Sequence, residues 1–394
     1  MRNIHYVAAA VAVVFLSACG GGSGGAPPMP ATSTLPSTGA GAKPTSQSVT
    51  THTYTINPVP AGSGPSLLLT DYSASQFSSD GYGLTVTSDG AVWWESYVNL
   101  SEAMVRMQGK NVTSVTGTIL SSAGPGGTMG STPNGRAWGA FNLPLTVHGG
   151  VDYLFYATAN STQVQPQYGF QGAGPGFGLL ATSPDGNIWY VSPSEPLTSG
   201  PSGSLVGYVD QNATDSNHGE NSAIINGNMY AVAAGPDGAM WTGGFDASNA
   251  FAFYRYSTSL QFLGEVKASR QLQSIGAMVT GPDKAVWFTD STDNLIGRVT
   301  TTGAITTYAI PTANSGAGDI TLGGDGALWF TESGPTFSKI GRISTSGKIS
   351  EYSLPVQGDH VGQIVGPNTS GCGASQLWFP MGPDIEQAVI ETKS

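Results

Sequence analysis

Basic residues are scarce in this chain: 14 Lys and Arg stand against 25 Asp and Glu in 394 residues, a formal charge of −11. Nucleic acid is therefore not the expected partner, since binding it needs clustered Lys and Arg. Cysteine is almost absent, with only Cys19 and Cys372, so no disulfide framework can replace a hydrophobic core. Long apolar runs are missing too. The stretch from Tyr6 to Leu16 falls short of the roughly 20 residues that span a bilayer. The region after residue 50 has no G-x-S-x-G elbow, H-E-x-x-H, paired C-x-x-C or phosphate loop ending in Gly-Lys-Ser/Thr, which removes the commonest signatures of hydrolases, zincins and NTPases. Charged residues make up only 10% of the chain while glycine numbers 56. Such a balance points to a turn-rich all-β protein.

The N-terminus, MRNIHYVAAAVAVVFLSAC, has Arg2, a short apolar run and small residues before Cys19, the pattern of a secretory signal. Its LSAC ending resembles the lipobox of bacterial lipoproteins. That resemblance implies removal of residues 1–18, lipidation of Cys19 and attachment to the membrane of the cell envelope; an ordinary signal with an incidental cysteine is the other reading. More than one acyl chain would hold the protein firmly, since a single chain binds only marginally. Gly20 in place of Asp after the cysteine points, by analogy with lipoprotein sorting, to the outer membrane. Residues 19–50 are Gly, Pro, Ser, Thr and Ala with few large apolar side chains, so a disordered tether is expected there. The folded domain is expected over 51–394.

Beyond the tether the chain repeats itself. SDGAVWW (88–94), PNGRAWG (133–139), PDGNIWY (184–190), PDGAMWT (236–242), PDKAVWF (282–288), GDGALWF (324–330) and GCGASQLWF (371–379) share one register. Seven of the eight tryptophans, Trp93, Trp138, Trp189, Trp241, Trp287, Trp329 and Trp378, hold one position in it. A period of 42 to 52 residues with a turn signal in each unit is the mark of a β-propeller. The sixth unit reads as four strands: DITLG, the Asp325-Gly326 turn, ALWFTE, KIGRIST and KISEYSLP; Asp-Gly suits the positive φ of a hairpin turn. The tryptophan is expected to fill the wedge between neighbouring blades. The last unit stops after EQAVIET (386–392), one strand short, and THTYTINPVP (51–60) matches the fourth-strand pattern. Thr51–Pro58 is accordingly expected to complete blade seven beside Gln387–Thr392, giving a seven-bladed β-propeller of four-stranded blades closed by its N-terminal strand. Closure hides the sheet edges, and a monomer is expected.

The stretches GPDKAVWFTDSTDNLIGRVTTTGAITTYAIP (281–311) and 323–355 resemble the repeats of the virginiamycin B (streptogramin B) lyase family. The resemblance implies a seven-bladed propeller and a Mg²⁺-dependent elimination that opens a cyclic depsipeptide at its ester. It further implies a channel-facing histidine as base, a carboxylate two residues before it and a Glu ending a WFTE strand. Abstracting an α proton needs such a base, and the developing charge a hard cation held by carboxylates.

This chain carries part of that set. Asp290 and Glu332 end equivalent strands of adjacent units, where they either converge on a cation or stand as solvated strand ends. Asp319, at the start of the sixth unit, is a further candidate metal ligand facing the channel. The histidine position opposite Glu332 is Gly318, and that opposite Asp290 is Gly276. His360 lies near the expected place in the last unit, beside Asp359, as candidate base or as a loop histidine; there Met381 replaces the carboxylate. Arg298 and Arg342 are expected in surface or inter-blade pairs. His52, His148 and His218 show no cluster partner in sequence, and Cys372 no His partner. Two functions stand: a propeller binding a small molecule or a protein partner at its channel rim, or a Mg²⁺-dependent C–O lyase acting on a cyclic depsipeptide or related ester.

Overall fold

The computed structural model describes residues 46–73, 79–98, 101–116, 124–125, 127–143, 151–171, 180–195, 203–213, 220–367 and 374–391. The signal, Cys19, most of the tether, His148, His218 and Cys372 lie outside them. The described residues form β-strands and turns with no helix, folded into seven antiparallel blades. Blade 6 shows the pattern: Ala317–Leu322 innermost, then Leu328–Gly334, Phe337–Ile343 and Ile349–Ser353 outermost. Blades 3, 4 and 5 repeat this order, in Leu180–Ile225, Gly227–Lys267 and Met278–Ala309.

Each tryptophan of the register lies in its own hydrophobic cluster, and each cluster joins two blades. Trp329 packs with Leu67, Leu377 and Phe379 of blade 7, Trp287 with Leu328 and Phe330 of blade 6, and Trp241 with Phe288 and Val299 of blade 5. Trp378 closes the circle against Leu84 and Val105 of blade 1. The expected wedge is therefore present at every junction. Burying an aromatic ring of this size removes 150–250 Å² from water, about 4–6 kcal/mol at ~25 cal/mol per Å².

A buried indole N–H calls for an acceptor; five of the repeats use one of two solutions, while Trp189 Nε1 of blade 3 has none among the described residues. In blades 4, 5 and 6 the turn aspartate takes it: Trp241 donates to Asp237 at 2.9 Å, Trp287 to Asp283 at 2.9 Å and Trp329 to Asp325 at 3.0 Å. This approach needs Gly235, Gly281 and Gly323 before the turn, because a Cβ there would meet the indole at 2.2 to 2.5 Å. In blades 1 and 2 a threonine holds the glycine position and accepts instead, Thr87 from Trp93 at 3.0 Å and Thr132 from Trp138 at 3.3 Å. Arg106, Arg255, Arg298 and Arg342 pair with the turn aspartates of their own blades at 2.5–2.7 Å, with their guanidinium carbons 5.7–5.9 Å from the tryptophan ring centres. Arg298 and Arg342 are thus intra-blade braces rather than inter-blade pairs.

Two expectations at the seam need correction. The strand beside the C-terminal Asp384–Glu391 is Ser66–Ser73, with Asp71 opposite Glu386. Thr50–Ile56 lies one place further out, paired to Ser66–Ser73. The N-terminus closes blade 7 as expected, but with a hairpin in place of Thr51–Pro58 alone. Burial decides the order: Leu67 and Leu69 are fully buried, whereas most of Thr50–Ile56 is exposed. The end of the expected tether is also ordered, since Ser46–Ser48 pairs with Asn111–Thr113 on the outer edge of blade 1. On the inner side, blade 7 is held to its Gln376–Met381 strand through isolated bridges from Val361 and Val365.

Candidate functional site

The inner strands enclose a central cavity of about 370 Å³, with Thr85, Ser131, Ala181, Ala233, Val279, Asp319 and Ile364 each standing for one blade in its wall. Its hydroxyls largely tie neighbouring blades together: Thr182 Oγ1 donates to the Ser131 carbonyl and Thr280 Oγ1 to the Ala234 carbonyl, both at 2.6 Å, while Thr128 Oγ1 accepts from Leu180 N at 2.8 Å. Gln363 links blade 7 to blades 1 and 2. Its Oε1 accepts from Leu84 N at 3.1 Å and Met129 N at 2.7 Å, and its Nε2 donates to the Met129 carbonyl at 2.9 Å.

Among the described residues Asp319 is the only titratable side chain in this wall. Its Oδ2 accepts from Ile364 N at 2.9 Å, and its own N–H is taken by Thr331 Oγ1 at 3.0 Å. Burial pushes its carboxyl up to about 7, against the opposing pull of the Ile320 and Ile364 amides. The side chain is half-buried, and the adjacent Gly318 and the equivalent Gly276 of blade 5 are exposed, so the cavity opens to solvent at this end.

Asp290 and Glu332 are neither solvated strand ends nor cavity groups; both are fully buried. Asp290 Oδ1 accepts from Ser274 Oγ at 2.6 Å and Asp293 N at 2.9 Å, which fixes the turn leaving its strand. Glu332 sits opposite Lys339 and Ala317. No donor reaches its oxygens, and its partner is another acid, Glu351, which it can bond only by keeping a proton. Burial, then the negative charge of Glu351, push Glu332 up to about 8, with Lys339 opposing. Glu351 is itself held by Thr312 N at 2.9 Å, Thr312 Oγ1 at 3.0 Å and Lys339 Nζ at 3.3 Å.

His360 is exposed and outside the cavity wall; its carbonyl accepts from Gly382 N at 3.0 Å. The glycines standing where a base would be sought have little room for one. A Cβ at Gly318 would meet Thr331 Oγ1 at 2.8 Å, and one at Gly276 would meet Thr289 Oγ1 at 2.5 Å. Among the described residues no three His, Cys, Asp or Glu come together as metal ligands. These residues therefore offer Mg²⁺ no cluster of carboxylates, and the expected grouping of Asp290, Glu332 and Asp319 does not form.

Two features escaped the sequence reading. Gln363 carried no motif. Glu386, fully buried with no donor to either oxygen, faces Asp71 across the seam; burial and then the charges of Asp71 and Asp384 push it up to about 8.

Residues 220–383 match the model of the Virginiamycin B lyase family. The fold is that of a virginiamycin B lyase-like propeller. The match runs from the outermost strand of blade 3 into blade 7 and takes in blades 4 to 6, where the Gly-x-Asp turn with its indole acceptor is complete. Solved structures extend the likeness to the whole ring. A catalytically inactive histidine-to-alanine variant of the virginiamycin B lyase from Staphylococcus aureus with quinupristin is 21% identical, covering 82% of this chain and 100% of that one at a TM-score of 0.62. A selenomethionine form of the Staphylococcus aureus enzyme gives 21%, 87%, 100% and 0.59. A streptogramin B lyase gives 20%, 82%, 98% and 0.58. At such identities these similarities establish the fold. No curated protein matches the chain.

Proposed function

We propose that this lyase-like propeller is a binding protein of the cell envelope, held there through Cys19, that takes a small molecule into its central cavity. The observation that carries this reading is the cavity of about 370 Å³ with Asp319 as the single ionisable group of its wall among the described residues. A concave space that offers apolar contact together with a few convergent polar groups is the ordinary form of a small-molecule site. The lyase alternative lacks comparable support, because His360, Asp290 and Glu332 are not grouped around the cavity.

The test compares the wild-type chain with an Ala233→Leu variant that fills the space, in a thermal-shift screen of small molecules. Compounds that raise the wild-type midpoint and leave the variant unmoved are expected; a screen in which no compound separates the two proteins rejects cavity binding. Incubation with quinupristin, with and without EDTA, examines the alternative. Intact quinupristin is expected, and metal-dependent ring opening lost in His360→Ala would establish the lyase instead. For the anchor, Cys19→Ala is expected to move the protein from the membrane to the soluble fraction. Retention of the variant in the membrane would remove the lipid anchor.

A further inference from the structure

Given that the cavity binds a small molecule, its charge specifies which kind. Among the described residues the wall contains one carboxyl, Asp319, and no Lys, Arg, His or second acid. The hydroxyls of Thr182 and Thr280 are committed to carbonyls of the neighbouring blades. The rest of the wall is divided almost evenly between polar and apolar atoms, and Ala, Val, Leu, Ile and Met residues supply the apolar share. We infer that the cavity selects a small organic monocation, an ammonium or quaternary ammonium head on an apolar body, with Asp319 as its counter-ion. An isolated carboxylate in such a space is costly to ionise, and a monovalent cation placed against it removes that cost. An anion would meet only repulsion. A divalent metal ion is held best where carboxylates cluster, whereas no three His, Cys, Asp or Glu gather as a metal site among the described residues. An organic cation needs one carboxylate and apolar contact. The net charge of −11 also draws cations toward the molecule.

The geometry keeps Asp319 in position for this role. Ile364 N holds Oδ2 from blade 7 and Thr331 Oγ1 holds the backbone from the neighbouring strand, so the carboxyl is fixed where the exposed Gly318 marks the open end. Because the acid titrates near neutrality, the cation competes with a proton for it.

The experiment is isothermal titration of the full chain with choline and with 3,3-dimethylbutan-1-ol, its uncharged carbon isostere, in potassium chloride throughout. Choline is expected to bind more tightly than the alcohol at pH 8.5. At pH 6 choline affinity should fall about tenfold, since only the ionised fraction of Asp319 is competent, while the alcohol should change little. Near pH 7 choline binding should release protons, seen as a heat that depends on the buffer. Asp319→Asn, which retains an acceptor for Ile364 N, should lose the preference for choline and keep the alcohol. Equal affinity for both probes, or choline binding untouched by Asp319→Asn, would overturn the cation inference and leave cavity binding standing. Failure of both probes to bind at millimolar concentration would count against cavity binding as well as the cation inference.

Discussion

Arg342 Nε and Asp325 Oδ2 stand 2.7 Å apart at the rim of blade 6, while the other oxygen of Asp325 accepts the indole N–H of Trp329. One turn carboxylate thus joins a brace on the blade's surface to the wedge between two blades. Asp325→Ala is expected to destabilise the protein by about 1–3 kcal/mol, the cost of leaving a buried donor unpaired. Arg342→Ala, which breaks only the partly exposed pair, should cost at most about 1 kcal/mol. Denaturant titration separates the two, and equal losses would contradict the division of labour.

Trp329→Ala removes the wedge itself. A loss of about 3–5 kcal/mol is expected, with Trp329→Phe costing less because the ring volume is largely kept. Equilibrium unfolding of both variants checks this, and a neutral Trp329→Ala would show that the blade 6–7 junction does not depend on the indole.

The buried acids give stability a pH dependence of definite sign. Glu332 and Glu386 are both held up to about 8 in the folded protein, above their unfolded value near 4.3. The native state therefore binds more protons than the unfolded chain between about pH 4.3 and pH 8, and stability falls as pH rises through that window. Glu332→Gln and Glu386→Gln should flatten the fall, with the variants gaining most over wild type at pH 9 and least at pH 5. Parallel curves for wild type and variants in thermal melts across that range would show that the two acids do not titrate as argued.

The seam predicts an asymmetry between its two N-terminal strands. Leu69→Ala, in the strand beside the C-terminus, should cost about 2–5 kcal/mol, whereas Tyr54→Ala, on the half-exposed outer strand, should cost under about 1 kcal/mol. Comparable losses would restore Thr50–Ile56 to the inner place. Midpoints in urea decide between them.

Much of this ring was legible in sequence because its grammar is local. The turn, the tryptophan six residues after its glycine or threonine, and the alternation of the following strand are all set by neighbours in the chain. The seam was misread for a physical reason. THTYTINPVP resembles ITTYAIP and ISEYSLP because all three are the outermost strands of their sheets, and that shared place hides that blade 7 carries one more strand before its edge. SLLLTDYS, with Leu67 and Leu69 turned inward, carries the burial signal of an interior strand. The site was less legible than the fold. Asp319 could be placed on an inner strand, but the surroundings of Glu332 come from Thr312 and Glu351 across the sheet. Gln363 acts through Leu84 and Met129, 279 and 234 residues earlier, and no local pattern encodes a contact of that range.

The hydroxyl of Tyr72 donates to Gln387 at 3.3 Å across a sequence separation of 315 residues. During synthesis the Leu67 and Leu69 strand must wait for nearly the whole chain before its partner exists. Bringing such distant ends together carries a loop-closure cost that grows as the logarithm of the separation, and contacts of this range slow folding. Blades 2 to 6 can each assemble from a contiguous stretch, so the order of events is written into the connectivity. The ring becomes a closed object only when its final strand arrives, and until then the N-terminal hairpin presents an open β-edge to whatever else is in the compartment.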